Sequence, residues 1–128
     1  REAAQANRYN QEFALLSVDL DNYQNSSERS LQKLASILRR SVRRGDLVAL
    51  YEEAQFMLLL SQCRKEDAVR CAGRILQQNK KEAASLTVSI GVVHYHGKVC
   101  HPKKILVQAG LALHRAKKEG GNRYVIAA

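Results

Sequence analysis

The chain has no tryptophan, a single proline and only three cysteines among its 128 residues. Three cysteines do not build a disulfide framework, which excludes the class of small, disulfide-rich secreted domains. The sequence also lacks an apolar run near the roughly 20 residues of a membrane-spanning helix, and it shows no secretory signal pattern. We therefore expect a domain of the reducing cytoplasm, either free or attached to a membrane-anchored protein, with no membrane contact of its own.

Acidic residues are scarce relative to basic ones. Twelve Asp and Glu stand against 21 Lys and Arg, which gives a formal net charge of +9. This balance favours anionic partners, such as nucleic acid, phosphorylated small molecules or acidic protein surfaces. A solvated basic surface without such a partner is an equal alternative at this point. Hydrophobic residues make up 45% of the chain, an ordinary composition for one globular domain with one core.

Hydrophobic patterning predicts alternating strands and helices. A nearly continuous apolar run at residues 13–20 is typical of a central strand that is buried on both faces. Residues 1–12 are polar and Ala-rich, and we interpret them as a helix remnant or tail before a domain at 13–128. The predicted order is strand, helix, strand, strand, helix, strand, helix, strand. This order indicates an α+β fold in which helices flank one mixed sheet.

A polar reversal at Glu52 and Glu53 joins two of the predicted strands. The sequence Arg-Arg-Gly-Asp at residues 43–46 leads into the first of them. The arginines supply hydrogen-bond donors and Asp46 supplies an acceptor, at a sheet edge that a ligand can reach. The sequence thus indicates two candidate sites, one at the turn and one at its lead-in.

Four segments occur in the order and spacing of GGDEF domains, and the chain resembles that family over residues 10–127. These segments are residues 13–22, 43–56, the Ser-Ile-Gly-Val strand at 87–92, and Ala-Lys-Lys-Glu-Gly-Gly-Asn-Arg at 116–123. The resemblance implies a nucleotide cyclase-like fold with a ferredoxin-like palm. Active members make cyclic di-GMP from two GTP molecules. A role in bacterial second-messenger signalling, including biofilm and exopolysaccharide regulation, is implied in the same way.

The signature turn departs from the family pattern in a way that implies lost catalysis. Active relatives have Gly-Gly-Asp/Glu-Glu-Phe, whereas this chain has Glu52, Glu53, Ala54 and Gln55 before the phenylalanine. The glycines of relatives admit the substrate phosphates, so two carboxylates in their place obstruct and repel a triphosphate. Ala54 cannot ligate a catalytic Mg²⁺. Asp19, which matches the family's first metal ligand, is by itself a poor two-metal site.

Two other segments of the family's active site are altered. The stretch after Asp21 is shorter than in relatives and has no counterpart of the residues that grip the guanine. Gly121 stands where relatives have a phosphate-contacting arginine, although Lys117 remains. We therefore expect a degenerate cyclase domain with no catalytic residues, no metal and no cofactor.

The lead-in to the turn retains the Arg-x-x-Asp pattern of the family's inhibitory product site. Arg43 and Asp46 have the matching spacing, and Arg74 falls where relatives add an arginine from the following helix. A guanidinium can donate two bonds to guanine O6 and N7, while a carboxylate accepts from the guanine N–H groups. Arg44 and Arg70 add positive charge for the two phosphates. The resemblance thus implies cyclic di-GMP as a regulatory ligand of these five residues.

Other interpretations of the same residues stay open. Arg43 can be a cation favoured by a helix C-terminus, with Asp46 as a capping turn residue. The domain is then a ligand-independent module that holds a protein partner, another domain of its own chain or a homodimer. Residual cyclase activity or weak nucleotide hydrolysis is a third interpretation.

Two further clusters carry weaker signals. His94, His96, Cys100 and His101 have side chains that can bind zinc, but no carboxylate pattern joins them, which favours the absence of a metal. The arginine-rich tract at residues 39–44 has no interleaved aromatic residues and belongs to no nucleic-acid module. We therefore expect no nucleic-acid partner.

Overall fold

The computed structural model describes residues 11–22, 28–52, 55–83 and 85–128. Within these ranges the sheet has five strands and three helices pack on it. The strands are β1 (Gln11–Leu20), β2 (Leu47–Glu52), β3 (Gln55–Ser61), β4 (Val88–Gly97) and β5 (Arg123–Ile126), and the helices are α1 (Glu28–Ser41), α2 (Lys65–Glu82) and α3 (Pro102–Lys118). The predicted order of elements and the predicted α+β class are confirmed.

The strands lie in the order β2-β3-β1-β4-β5. β1 is antiparallel to both β3 and β4, β2 is antiparallel to β3, and β5 is parallel to β4. The most apolar strand therefore occupies the centre of a mixed sheet, as its continuous apolar run predicted. This arrangement also brings the C-terminal end of β1 beside the turn of the β2–β3 hairpin, because Asp19 pairs with Gln55.

Both faces of β1 are buried, each by different helices. Alternate β1 side chains, including Leu16 and Val18, pack in the main core with apolar residues of α1 and α2. Leu15 points to the opposite face, where it belongs to a smaller core with Ile105 and Ala109 of α3. A strand that is covered on both sides has no need of polar alternation. The sheet is thus the middle of three layers.

The glycine of the Ser-Ile-Gly-Val segment allows α3 to approach the sheet closely. A Cβ atom on Gly91 would lie 2.5 Å from the backbone oxygen of Ala109 and 2.5 Å from the backbone nitrogen of Leu113. Such distances are shorter than any van der Waals contact, so a side chain at this position would push the helix outward. Gly91 therefore sets the spacing between β4 and α3.

Two predicted boundaries differ from the observed ones. β1 begins at Gln11, two residues before the predicted start, because Gln11 and Glu12 continue the ladder opposite Gly97 and His96. Residues 1–10, the rest of the predicted tail, lie outside the described residues. The sequence pattern predicts the second helix at Arg64 to Gln78, but α2 continues to Glu82, which is hydrogen-bonded to Gln78 and to Arg40 of α1. Within the described ranges, no helix is long and apolar enough to cross a membrane.

Candidate functional site

Two polar regions lie on this framework, and we name them by their residues. The strand-end site consists of Asp19, Asp21, Gln55 and Lys117, around the C-terminal end of β1. The arginine pocket lies among the end of α1, the start of β2, the end of β3 and the first turns of α2. It encloses about 280 Å³ and is lined by Ser41, Arg43, Asp46, Leu60, Cys63, Asp67, Arg70, Cys71 and Arg74.

Lys117 forms an ion pair with Asp19 in the strand-end site. Its Nζ lies 3.0 Å from Oδ2 of Asp19 and donates a hydrogen bond of 3.2 Å to the carbonyl oxygen of Leu20. Burial raises the pKa of Asp19, although the hydrogen bond from Lys117 opposes that rise. An ammonium group thus occupies the position next to both oxygens, where a bound cation would otherwise be attracted.

Asp21 has a structural role at the same end of β1. Its carboxylate accepts hydrogen bonds from the hydroxyls of Thr87 and Ser89 and from the backbone N–H of Asn122, the last at 2.9 Å. Gly121 has a φ of +73°, and a Cβ atom there would lie 2.8 Å from Oδ2 of Asp21. The absence of a side chain at Gly121 therefore leaves room for the carboxylate that joins β1 to β4 and to the turn before β5.

The hairpin turn is described only at its two ends. Glu52 is exposed, and Gln55 donates a 2.7 Å hydrogen bond from Nε2 to the hydroxyl of buried Ser17. The sequence predictions for Glu53 and Ala54 lie outside the described residues. In the part of the chain that the structure describes, no three His, Cys, Asp or Glu side chains are grouped as metal ligands.

Asp46 fixes the shape of the arginine pocket from within. Its Oδ2 accepts hydrogen bonds from the backbone N–H of Arg43 at 2.9 Å and from Nε of Arg43 at 3.4 Å. Its Oδ1 accepts from the backbone N–H of Ser61 at 3.0 Å, and only 3% of the side chain is exposed. Asp46 therefore joins the start of β2 to the end of β3 and orients Arg43. These contacts are those of the turn residue in the structural interpretation of the motif.

Backbone carbonyls hold two arginines at the pocket wall. Arg43 donates from Nη2 to the carbonyl oxygen of Ser61, and Arg74 donates from Nη2 to that of Ser41 at 2.7 Å. A guanidinium has five N–H donors, so each arginine keeps further donors for a ligand. The predicted residues Arg43, Asp46, Arg70 and Arg74 are thus brought together in one pocket. Arg44 is exposed and lies outside the pocket wall.

Asp67 is a second carboxylate of the pocket that the sequence did not single out. Its Oδ1 accepts from Nη1 of Arg70 at 3.1 Å, and its Oδ2 accepts from Nε of Arg64 at 3.5 Å. Asp67, Arg70 and Arg74 follow one another at helical spacing on α2, which is the signal that could have identified Asp67. Three guanidinium groups and two carboxylates therefore line the pocket. Its two thiols are neutral, because burial raises the pKa of Cys63 and Cys71.

The histidine-rich segment of β4 has a different arrangement. Nε2 of His94 lies 3.0 Å from Oε2 of Glu12 on the neighbouring strand, so the structure places beside this histidine a carboxylate that the sequence did not single out. His94, His96 and His101 line a shallow surface pocket at the start of α3.

One protein-family model matches most of the chain. The family model described as "Diguanylate cyclase, GGDEF domain" matches residues 1–123. The chain belongs to the GGDEF family. The resemblance drawn from the four sequence segments is confirmed, and with it a relationship to cyclic di-GMP signalling.

Curated relatives of this GGDEF domain are bacterial and much longer. Diguanylate cyclase DosC of Escherichia coli K12 is 29% identical over 141 residues, which cover 96% of this chain and 30% of DosC. Diguanylate cyclase DgcM of the same strain is 31% identical over 129 residues, covering 91% of this chain and 31% of DgcM. YhcK of Bacillus subtilis is 27% identical over 128 residues, which cover 88% of this chain and 36% of YhcK. The GGDEF domain thus spans about a third of these relatives.

Solved structures share the fold. The active GGEEF domain of a diguanylate cyclase from Vibrio cholerae superposes with a TM-score of 0.84 at 23% identity, covering all of this chain and 91% of that one. The coiled coil and GGDEF domain of DgcB from Caulobacter crescentus, solved in complex with cyclic di-GMP, gives a TM-score of 0.82 at 17% identity. It covers 98% of this chain and 74% of that one. The nucleotide cyclase-like fold is thereby confirmed.

Proposed function

We propose that this GGDEF domain is catalytically inactive and acts as a receptor for cyclic di-GMP through its arginine pocket. The convergence of Arg43, Arg70 and Arg74 on one cavity of about 280 Å³ carries the proposal. The three guanidinium groups outnumber the two carboxylates there, which favours an anion. Because Arg43 and Arg74 are already held by backbone carbonyls, little side-chain entropy is lost when they bind.

The size of the pocket suits part of the ligand. It is near the lower end of the roughly 300–1,000 Å³ of small-molecule sites, so one guanine base enters while the phosphates remain near the surface. There, exposed Arg70 and Arg44 supply positive charge. Planar guanidinium groups match both guanine edges and phosphates. DgcB, which has the same fold, was solved with cyclic di-GMP bound.

Catalytic inactivity rests on the strand-end site. Ala54 has no side-chain oxygen for a metal, and Glu52 and Glu53 place negative charge where relatives admit phosphates. The one carboxylate that matches a metal ligand, Asp19, is paired with Lys117 at 3.0 Å. A single matching carboxylate is a poor two-metal site. We therefore propose that the domain has no catalytic residues and uses no metal or cofactor.

Isothermal titration calorimetry with cyclic di-GMP tests the receptor function. We expect saturable binding at micromolar protein, which Arg43→Ala abolishes. Asp46→Asn keeps the shape of the side chain but weakens its hold on Arg43, so we expect reduced affinity in a folded variant. Absence of heat with the native domain, or unchanged affinity in Arg43→Ala, contradicts the proposal. Incubation with GTP and Mg²⁺ tests inactivity, and any cyclic di-GMP formed refutes it.

A further inference from the structure

The outward side of α3 exposes two aliphatic side chains. Val107 and Leu111 are each 60% exposed, and they lie four residues apart, so they are neighbours on the same side of the helix. Each of them follows a buried residue, Ile105 or Ala109, by two positions. Because an α-helix turns by about 100° per residue, both side chains point almost directly away from the sheet. Val107 and Leu111 therefore form an apolar ridge on the outside of the domain.

Basic side chains border this ridge. The same helical geometry places exposed lysine and arginine residues along its two flanks and at its C-terminal end, namely Lys103, Lys104, Arg115 and Lys118. We call these four residues, together with Val107 and Leu111, the α3 face. The sequence of α3 contains no Asp or Glu, and Glu119, directly after the helix, lies 3.7 Å from Arg115. The α3 face thus combines positive charge with apolar surface.

A ligand that complements the α3 face is both anionic and apolar. The backbone of a nucleic acid offers phosphates but no apolar partner for Val107 and Leu111. Protein interfaces are depleted in lysine and enriched in aromatic residues, whereas the α3 face has three lysines and no aromatic residue. At a lipid bilayer, lysine stems lie along the apolar region while their ammonium groups remain among the headgroups. This composition therefore favours the surface of an anionic membrane.

We propose that the α3 face binds the surface of a bilayer that contains anionic lipids. Val107 and Leu111 enter the boundary between headgroups and acyl chains, and the four basic side chains lie at the lipid phosphates. Each Lys or Arg near such a surface strengthens binding roughly fivefold, so the four together give a reversible attachment without a membrane-spanning segment. The sequence predicted no membrane contact, since two aliphatic residues on one helix face do not form a long apolar run.

This attachment leaves the arginine pocket accessible. α3 packs on the face of the sheet that carries the smaller core, whereas α1 and α2, which line the pocket, pack on the other face. Lipid binding therefore does not rest on the proposed binding of cyclic di-GMP, and either one can fail without the other.

Sedimentation with vesicles tests the proposal on the nucleotide-free protein. We expect it to bind vesicles of equal parts phosphatidylcholine and phosphatidylglycerol but not vesicles of phosphatidylcholine alone. Salt at about 1 M, where the Debye length falls to about 3 Å, should release it. Val107→Gln combined with Leu111→Gln should weaken binding at least about tenfold at unchanged charge. Leu47→Gln is the matched control, since Leu47 on β2 is 61% exposed.

A pair of charge variants tests the basic flanks. Lys103→Gln combined with Lys104→Gln should weaken binding about 10- to 30-fold, because two cations leave the lipid surface. Lys80→Gln combined with Lys81→Gln removes the same charge from the exposed end of α2, and binding should change less than about threefold. All of the substituted residues are exposed, so these variants should keep the native fold.

Tryptophan fluorescence reports whether the aliphatic side chains enter the bilayer. The chain has no tryptophan, so Leu111→Trp introduces a single reporter. With anionic vesicles its emission should shift to shorter wavelength and be quenched by brominated lipids, since indole favours the membrane interface. Leu47→Trp, on β2, should show neither change.

Absence of binding to the anionic vesicles overturns the proposal. So does equal weakening in a variant and its control, or Leu111→Trp emission that bound vesicles do not quench. Binding that survives the loss of both aliphatic residues indicates adsorption by charge alone and also overturns it. Tighter binding to duplex DNA or to polyglutamate than to the vesicles would assign the α3 face to nucleic acid or to an acidic protein instead.

Discussion

The strand-end site and the arginine pocket lie in one small domain, but they differ in how their charged groups are paired. At the strand end, Asp19 is matched by Lys117, and Asp21 is fully engaged by two hydroxyls and a backbone N–H. In the pocket, Arg74 is held by a neutral carbonyl, and the described residues provide it with no carboxylate within ion-pair distance. One region has its charges balanced internally, whereas the other has positive charge left over.

Under the proposed function, this difference separates a region that has lost catalysis from a region that binds a ligand. Internal partners stabilise the strand end, and under the proposed function the altered turn no longer takes a metal or a triphosphate. Surplus guanidinium groups in the pocket contribute little to stability, since exposed ion pairs contribute only about 0–1 kcal/mol. The proposed ligand would account for their presence. Substitutions in the first region should therefore change folding, and those in the second should change binding.

Asp21→Ala should give the largest effect, on stability. It leaves the donors of Thr87, Ser89 and Asn122 without their shared acceptor, which should cost about 3 kcal/mol. Urea denaturation measures the loss, and Asp67→Ala, at a more exposed carboxylate, is the control and should cost less than about 1 kcal/mol. Equal losses in the two variants would remove the distinction between the regions.

Arg74→Ala should have the next largest effect, on affinity. Loss of a guanidinium that bonds a base or a phosphate should weaken cyclic di-GMP binding by about 10- to 100-fold, as for hydrogen bonds to charged groups. Calorimetric titration checks this, with Arg115→Ala on α3 as a control that should bind normally. If the affinity of Arg74→Ala is unchanged while its stability falls, Arg74 belongs to the structural region instead.

Asp67→Asn should strengthen binding. Asp67 forms an ion pair of 3.1 Å with Arg70, which competes with a contact between Arg70 and the ligand. The negative charge of Asp67 also repels the ligand phosphates. Its neutralisation should raise the affinity for cyclic di-GMP about three- to tenfold at low salt. Glu66→Gln is a matched control, because it changes the same charge in the same helical turn at a position outside the pocket wall. Equal gains in both variants would indicate a general charge effect.

Asp19→Asn should produce the smallest change, in the pH dependence of stability. Burial raises the pKa of folded Asp19 above 3.8, so just above that pH the folded state retains a proton that the unfolded state has lost. This group's contribution to stability therefore falls as pH rises through that window. Urea denaturation at several acidic pH values measures it, and the stability of the native domain relative to Asp19→Asn should fall as pH rises through this window. A contribution that rises with pH contradicts this sign.

The sequence was sufficient for the fold and for the position of the pocket. The continuous apolar run of β1 indicated a central strand, and the resemblance to GGDEF domains implied that Arg43, Asp46 and Arg74 belong to one site. The sequence could not show that protein donors occupy Asp46, or that Lys117 reaches Asp19 from α3. These contacts join residues that are distant in the chain, and no local pattern encodes them.

The central position of β1 in the sheet affects the order in which the strands can pair during synthesis. Among the described strands, the central one, β1, is synthesised first, and its partners on β4 extend from Val88 to Gly97. β2 and β3, by contrast, form a local hairpin that can close early. On the ribosome, one edge of β1 thus remains unpaired until β4 has emerged. Non-local pairing of this kind slows folding, so the nascent chain depends on protection of that apolar edge.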